Sequence, residues 1–407
     1  MKYIMLVGDG MCDRPVKELD GKTPLQVARI PNMNKIAKGG QVGLTNTIPI
    51  GLTAASDVAN LSLLGYDPVK YYTGRGPLEA ADLEVDLKDS DVAFRCNLVT
   101  IADDKMVDYS AGHIKNKEAG ILIKHVDKKL GSDAISFYPG VSYRHLAVIN
   151  TKKLAVEVDD LLETICTPPH DITGESVSRY LPRGKMSGYL SDLMFKSKEI
   201  LITHDINKVR IDLGENPANS IWLWGQGKKP NMPSFYEMFK VKGSIISAVN
   251  LIKGIGRIIG LHPIEVPGAT GYYDTDYKGK ADYALESLKE KDFVFVHVEA
   301  PDEAGHNGDV RAKITAIENF DRLVVGTVLE HFKKSKKDFR LIVTADHATP
   351  VSVRTHTREA IFFALYGKGV KPDDVEAFDE VSALNKASIK LKQGSYLMDL
   401  LINNKLH

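Results

Sequence analysis

Three aspartates and three histidines stand where short apolar runs end. The run YIMLV (Tyr3 to Val7) leads into Gly8-Asp9-Gly10, and FVFVHV (Phe293 to Val298) leads into Asp302 and, four residues on, His306. RLIVTA (Arg340 to Ala345) ends in Asp346-His347, and His356-Thr357 precedes AIFFALY (Ala360 to Tyr366). Carboxylate oxygens and imidazole nitrogens are a donor set for Mn or Zn, and no cysteine is available among them. Six donors exceed what one catalytic ion with an open position needs; two ions about 4 Å apart would use them, in the arrangement that clamps attacking and leaving oxygens in phosphoryl transfer. A lone histidine at a strand end is more often a satisfied core or surface residue. The pattern Asp-x-x-x-His, Asp-His and a later His, all at strand ends, is what favours metal ligation here.

A serine adds a second signal. Thr53-Ala-Ala-Ser56-Asp57-Val-Ala-Asn opens the helical run VANLSLLGY, so Ser56 or Asp57 is expected at the helix N-cap, and capping alone is the plainer role. The chemical alternative is a phosphate carried on Ser56 Oγ, stabilised by amides and the positive end of the helix dipole. A serine hydroxyl is a poor nucleophile, and metal coordination would activate it as an alkoxide.

These residues must be carried to one place. Continuous apolarity at strand length suits the central strands of a parallel sheet covered on both faces. Helical patterns lie between the strands, such as Lys313 to Phe332 with Ile314, Ile317, Leu323, Val324 and Val328. That alternation predicts an α/β fold with a doubly wound, mostly parallel sheet, in which residues beyond the carboxyl ends of the strands converge on one crevice. The middle of the chain reads differently, with strands FRCNLVTI (Phe94 to Ile101) and RHLAVI (Arg144 to Ile149), a helix over Lys117 to Leu130, and loop-forming TPPHDITG and LPRGK. An inserted, smaller α/β (α+β) domain is therefore expected at residues 81–217, leaving residues 1–80 plus 218–407 as a discontinuous core.

The chain has 407 residues, 53 Lys plus Arg against 53 Asp plus Glu, 43% hydrophobic and 26% charged residues, which is the composition of an ordinary globular protein. Zero formal charge argues against nucleic-acid binding, which wants a basic surface. Cys12, Cys96 and Cys166 show no CxxC spacing, so no disulfide framework is expected and a reducing compartment is. MKYIMLVGDGM reaches Asp9 too soon for a signal-peptide core or a membrane span, and the apolar stretch Gly243 to Leu261 is interrupted by Lys253 and Arg257. A cytoplasmic location without membrane attachment is the expectation.

VGDGM, AASDVANLSLLGYDP, HVEAPDEAGH, TADH and His356-Thr357 together resemble the archaeal-type, 2,3-bisphosphoglycerate-independent phosphoglycerate mutases of the alkaline-phosphatase superfamily. YYTGRGPLEA, AFRCNLVTI, DYSAGHI, PPHDITG, NSIWLWGQGKKP and VPGATGYYDTDY are also similar to that family, so the likeness runs along essentially the whole chain. It implies an alkaline-phosphatase-like core and an isomerase of glycolysis and gluconeogenesis that interconverts 3-phosphoglycerate and 2-phosphoglycerate. It further implies a phosphoserine on Ser56, two divalent ions (Mn, Mg, Co or Zn) and no need for 2,3-bisphosphoglycerate. One ion would be held by Asp302, His306 and His356, the other by Asp9, Ser56, Asp346 and His347.

For the inserted domain the residues themselves must speak. A phosphorylated carboxylate needs cations, and arginine forks match both anions bidentately. Candidates are Arg144, Arg183 and Arg210, with Arg75 and Lys228 near the domain junctions; each alone is more often a solvated charge. His170 and Asp171 are candidates for handling substrate hydroxyls, and His113 is a further substrate-binding candidate. Residues 81–217 carry a net charge of −4, so binding there must rest on a few local cations, with the remaining positive charge supplied by metal. The competing expectations are a metal-dependent phosphatase, or a mutase for another phosphorylated metabolite such as a pentose phosphate, using the same Ser56 and ions, and a non-catalytic metal-dependent scaffold or metabolite sensor.

Overall fold

The computed structural model describes residues 1–406 and divides into two compact units, Met1–Tyr72 with Met232–His407 and Thr73–Asn231. Along the chain the strands begin with β1 (Lys2–Gly8) and β2 (Gln41–Thr45). Those of the second unit come next: β3 (Asp91–Ala102), β4 (Lys105–Asp108), β5 (Ile135–Val141), β6 (Arg144–Asn150) and β7 (Ser220–Lys228). The first unit resumes with β8 (Gly243–Ile246), β9 (His262–Pro263), β10 (Phe293–Val298), β11 (Phe339–Thr344), β12 (Ile361–Gly367) and β13 (Ile389–Lys390).

In the first unit these strands form an eight-stranded sheet in the order β13-β2-β12-β11-β1-β10-β8-β9. Its centre is parallel: β1 pairs with β10 and β11 on its two sides, and β8 extends the parallel run beyond β10. β12 runs antiparallel to both β11 and β2. The apolar runs are continuous because both faces are covered. Ile4, Leu6, Val294, Val296, Leu341 and Val343 join Ile36, Ile317, Phe320 and Val328 in one cluster, while the alternate residues Met5, Phe295 and Ile342 are equally buried on the opposite face.

The helix expected over Lys313 to Phe332 is longer and not uniform. Val310–Asn319 and Gly326–Ser335 are α-helical, and Phe320–Val325 between them is a π segment. Asp321 in that widened stretch accepts from Asn32 N (3.2 Å) and Met33 N (2.6 Å), satisfying the first amides of the helix Pro31–Gly39, whose own N-cap Ile30 offers no side-chain acceptor.

The second unit is an antiparallel sheet, with β3 at its centre pairing with β4 and β6 and also with β7, and β5 beyond β6. Helices Asn116–Leu130 and Ser187–Leu201 cover it, burying Leu122, Ile123, Val126, Leu190 and Leu193 with Phe94, Cys96 and Leu98. The segment 81–217 lies inside this unit, and the helix Arg75–Asp82 and strand β7 belong to it as well. Among the described residues no helix is long and apolar enough to cross a membrane.

Candidate active site

In the first unit the carboxyl ends of β1, β10 and β11 deliver Asp9, Asp302, Asp346 and His347 to one place, all buried. His306 lies on the helix Ala300–Asn307, one turn after Asp302, with its Nε2 3.2 Å from Asp302 Oδ2. His356 Nε2 is 3.0 Å from His306 Nε2 and 3.5 Å from Asp302 Oδ1. His347 Nε2 is 3.4 Å from Asp9 Oδ1, 3.6 Å from Asp346 Oδ2 and 2.9 Å from Ser56 Oγ.

Backbone chemistry explains the tightness. Asp346 Oδ1 accepts from Gly10 N (3.1 Å) and His347 N (2.9 Å), tying the loop after β1 to the end of β11. Gly10 has φ +60°, and a Cβ there would lie 2.6 Å from both Asp302 Oδ1 and Thr349 Oγ1. Only glycine gives the backbone that approach. Ser56 is not the N-cap that the sequence suggests. Ala55 takes that place in extended geometry without a side-chain cap, and Ser56, the first helical residue, turns its hydroxyl to His347. Asp57 accepts from Val58 N and from the Tyr72 hydroxyl.

The donor set fits divalent cations on three grounds. Ligands at 2.0–2.1 Å around a tetrahedral ion lie about 3.3–3.4 Å apart, and most of the Nε2-to-carboxylate distances, 3.2–3.6 Å, are too long for good hydrogen bonds yet match that edge. The Nδ1 atoms of His306 and His356 donate to the carbonyls of Arg354 (3.1 Å) and Ala54 (3.2 Å), and that of His347 faces the Thr349 hydroxyl (3.2 Å), so each Nε2 is turned toward the cluster. Asp9 Oδ1 is buried without a hydrogen-bond partner.

Electrostatics point the same way. Burial, with Asp346 and Asp302 nearby, holds the Asp9 carboxyl well above the carboxylate range. Burial works against ionised Asp302 as well, but His306 and His356 outweigh it and hold that carboxyl well below its usual range. Burial opposes a charge on His306 too; Asp302 overrides it and raises the imidazole to about 9. Burial lowers His347 to about 4, the neutral form a ligand needs. Three buried carboxylates at close quarters are an arrangement that added divalent charge relieves.

In each of two groups the donor atoms lie within 4.8 Å of one another: Asp302, His347 and His356 in one, and Asp9, His297 and Asp346 in the other. His297 is not among the candidates drawn from the sequence, although an imidazole inside the apolar run FVFVHVEA is a signal. Its Nε2 lies 3.4 Å from Asp9 Oδ2 and 3.5 Å from Asp346 Oδ2, and its Nδ1 lies 3.3 Å from Glu299 Oε1. Burial disfavours its charge, yet Asp346 and Glu299 raise it to about 9.

The second unit holds a cationic and aromatic face. Cross-strand pairing sets Arg95 opposite Trp224 and Asn97 opposite Arg144, and Arg95 and Asn97, two apart on β3, share a face. The Arg95 guanidinium lies 4.6 Å from the Trp224 ring centroid and that of Arg75 5.5 Å from it; Arg144 lies 5.7 Å from the Tyr143 ring. His170 packs on Trp224 and Tyr109, His113 on Tyr143, and His170 Nε2 is 3.6 Å from Asp171 Oδ1. Desolvation lowers the His170 pKa, against Asp171, which raises it. Arg95 is also absent from the sequence candidates, because there it reads as part of an apolar strand. It is buried, with Nε 3.4 Å from Glu79 Oε1 and without a hydrogen-bond partner, and burial lowers its pKa with Arg75 and Arg144 adding to the effect.

Three other sequence candidates have different surroundings. Arg210 is buried and fully engaged: Glu118 (2.7 Å), Glu215 (3.0 Å), Ala111 O (2.8 Å) and Asn216 O (3.0 Å). Arg183 is exposed in a loop whose backbone bridges to Ile165, and Lys228 is exposed at the end of β7.

Comparison with known proteins agrees with this geometry. A family profile described as 2,3-bisphosphoglycerate-independent phosphoglycerate mutase matches residues 37–207. The chain is 52% identical over 406 residues to the protein of that name from Methanosarcina barkeri, covering all of both chains. It is 47% identical over 408 residues to one named probable 2,3-bisphosphoglycerate-independent phosphoglycerate mutase from Geobacter sulfurreducens, covering 99% of this chain and 100% of that one. Among solved structures, the cofactor-independent phosphoglycerate mutase of Thermoplasma acidophilum is similar with TM-score 0.66 and 29% identity over 99% of this chain and 100% of that one.

Proposed function

Since this chain belongs to the 2,3-bisphosphoglycerate-independent phosphoglycerate mutases, an isomerase family that uses divalent metals, we propose that it interconverts 3-phosphoglycerate and 2-phosphoglycerate through a phosphoserine on Ser56. The reading places the reaction in glycolysis and gluconeogenesis, in the cytoplasm. Asp302, His306 and His356 would hold one divalent cation, and Asp9, Ser56, Asp346 and His347 the other; Mn suits this mixed donor set, as do Mg, Co and Zn in varying degree. Cations held there would lower the pKa of the serine hydroxyl, so that its proton passes to solvent, and would offset charge on the transferring phosphoryl oxygens.

The single observation that carries the reading is the Ser56 hydroxyl, 2.9 Å from His347 Nε2 in the midst of the acid and histidine cluster. Ser56 Oγ attacks phosphorus, the bond to the glycerate oxygen breaks, and the phosphoryl group stays on Ser56 near the positive end of the helix Ser56–Leu63. Glycerate then turns and its other hydroxyl takes the group back. In the second unit Arg75, Arg95 and Arg144 are suited to a carboxylate, and His170 with Asp171 to exchanging protons with hydroxyls.

Phosphorus NMR on purified, Mn-loaded protein tests this. The expected result is conversion of 3-phosphoglycerate to 2-phosphoglycerate without added 2,3-bisphosphoglycerate, and loss of turnover on the order of 10⁴-fold or more in Ser56→Ala, as for other nucleophile deletions. Free phosphate in place of 2-phosphoglycerate would establish a phosphatase instead.

A further inference from the structure

Two lysines in the first unit, Lys280 and Lys313, are completely buried. An ammonium taken out of water loses several kcal/mol of solvation, and apolar residues of the same size often serve stability as well or better than a buried ion pair. Stability alone therefore does not account for them. Their contacts do: Lys280 reaches the Asp9 and Asp346 side through Glu299 and His297, and Lys313 reaches Thr349, whose hydroxyl donates to Asp302 and lies at a longer 3.2 Å from His347 Nδ1.

Lys280 Nζ donates to His297 O (3.0 Å) and Glu299 Oε2 (2.5 Å). Glu299 Oε1 also accepts from Ser247 Oγ (2.8 Å) and Ala248 N (2.7 Å), which fixes the carboxylate on both sides, and it faces His297 Nδ1. The His297 ring is thereby oriented with Nε2 toward Asp9 Oδ2 and Asp346 Oδ2. Lys313 Nζ donates to Asp13 Oδ2 (2.7 Å), Thr349 O (2.8 Å) and Cys12 O (3.3 Å). Asp13 in turn accepts from Val351 N, so the loop 349–351 is held at two points, and the Thr349 hydroxyl donates to Asp302 Oδ1.

We propose that Lys280 and Lys313 are positioning residues, each setting the donor geometry of one cation site: Lys280 that of Asp9 and Asp346 through Glu299 and His297, Lys313 that of Asp302 through Thr349. The proposal rests on reading these donors as cation ligands and adds which buried charge aligns which half. A general role in folding would weaken both sites together. Positioning weakens one of them more than the other.

Titration of metal-free protein with Mn²⁺, followed by electron paramagnetic resonance of the free ion, separates these cases. Wild type should bind two ions, and failure to bind any would overturn the cation reading itself. His356→Ala leaves the Asp9 and Asp346 site for study, and Asp346→Asn leaves the Asp302 site. In the His356→Ala background, Lys280→Met should weaken Mn²⁺ binding at least about 10-fold, the usual cost of losing a partner that orients a ligand, and Lys313→Met several-fold less; in Asp346→Asn the order should reverse. Equal effects of both lysine changes in both backgrounds, or none, would overturn the positioning proposal while leaving the cation reading standing. Should Lys280→Met fail to fold by circular dichroism, Lys280→Met with Glu299→Gln removes the buried pair as a neutral unit, and the same selective weakening is expected.

Discussion

The acid and histidine cluster of the first unit and the cationic face of the second are built on opposite plans. In the first, Asp9, Asp302, Asp346 and His347 stand just beyond the carboxyl ends of strands, the imidazoles are oriented through their far nitrogens by carbonyls or a hydroxyl, and the carboxylates lie among like charges that burial cannot tolerate uncompensated. In the second, cations inside a strand, at the start of another and at the start of a helix lie over the rings of Trp224 and Tyr143, at intermediate exposure except for Arg95. Hydrogen-bonded topology fixes the first arrangement tightly; stacking fixes the second more loosely. Losses in the first should therefore be all-or-none in turnover, and losses in the second graded and seen in binding.

The largest expected effect tests the first half of that contrast. Asp302 contacts both His306 and His356 and accepts the Thr349 hydroxyl, so Asp302→Ala removes the hub of one donor group. Turnover should fall on the order of 10⁴-fold, as it does when a member of a catalytic unit is deleted, with bound Mn²⁺ dropping by one ion per chain. Activity within about ten-fold of wild type would break the comparison, because it would mean the cluster tolerates graded loss.

The two units also bury titratable groups of opposite sign. His145 on β6 accepts from Gly140 N through Nδ1, its Nε2 has no partner, and burial lowers it from 6.5 to about 3. Its folded pKa lies below the unfolded one, so its contribution to stability is complete above about pH 6.5 and is lost as pH falls toward 3. Glu380 in the first unit accepts from Asp13 N and the Thr23 hydroxyl, but burial outweighs both and raises it from 4.5 to about 7. Its contribution is complete below about pH 4.5 and lost as pH rises through 7. Each amounts to a few kcal/mol at about 1.4 kcal/mol per pKa unit. Urea unfolding of His145→Gln and Glu380→Gln from about pH 4 to pH 8 checks this. His145→Gln should flatten the acid side of the stability profile and Glu380→Gln the neutral side, and a profile left unchanged by both would refute the assignment.

How much of this is legible in the residues alone depends on the same contrast. The ends of continuous apolar runs announce a parallel sheet, and a parallel sheet gathers the residues just beyond its strands, so the meeting of Asp9, Asp302, Asp346 and His347 is predictable. Ser56 is readable as a helix-start residue, but not that Ala55 takes the cap and frees its hydroxyl for His347. Arg95 and His297 are hidden by the apolarity of their own strands, which makes a charged residue look like a core strand's exception. Arg210 looks available because its partner Glu118 lies 92 positions away along the chain, and no local pattern reports such a pairing.

That last distinction gives the smallest and most discriminating expectation. Arg95 lies beside Trp224 with one carboxylate near it, Glu79 at 3.4 Å from Nε and too long for a good hydrogen bond, and with Arg75 and Arg144 as cationic neighbours, whereas all the bonding of Arg210 is spent inside its unit. Arg95→Met should raise the KM for phosphoglycerate, with kcat/KM falling about 10²-fold, the worth of a charge-assisted bond of about 2–3 kcal/mol. Arg95→Lys should recover only part of it, since an ammonium keeps the charge but neither forks around a carboxylate nor stacks on an indole. Arg210→Met should instead lower Tm, by stranding Glu118 and the Ala111 and Asn216 carbonyls, with KM within about 3-fold of wild type, and Arg183→Ala, at an exposed loop, should move neither quantity appreciably. If Arg210→Met raised KM as much as Arg95→Met, the second unit would bind substrate through its whole charge distribution, and the stacked face around Trp224 would lose its claim to be the binding surface.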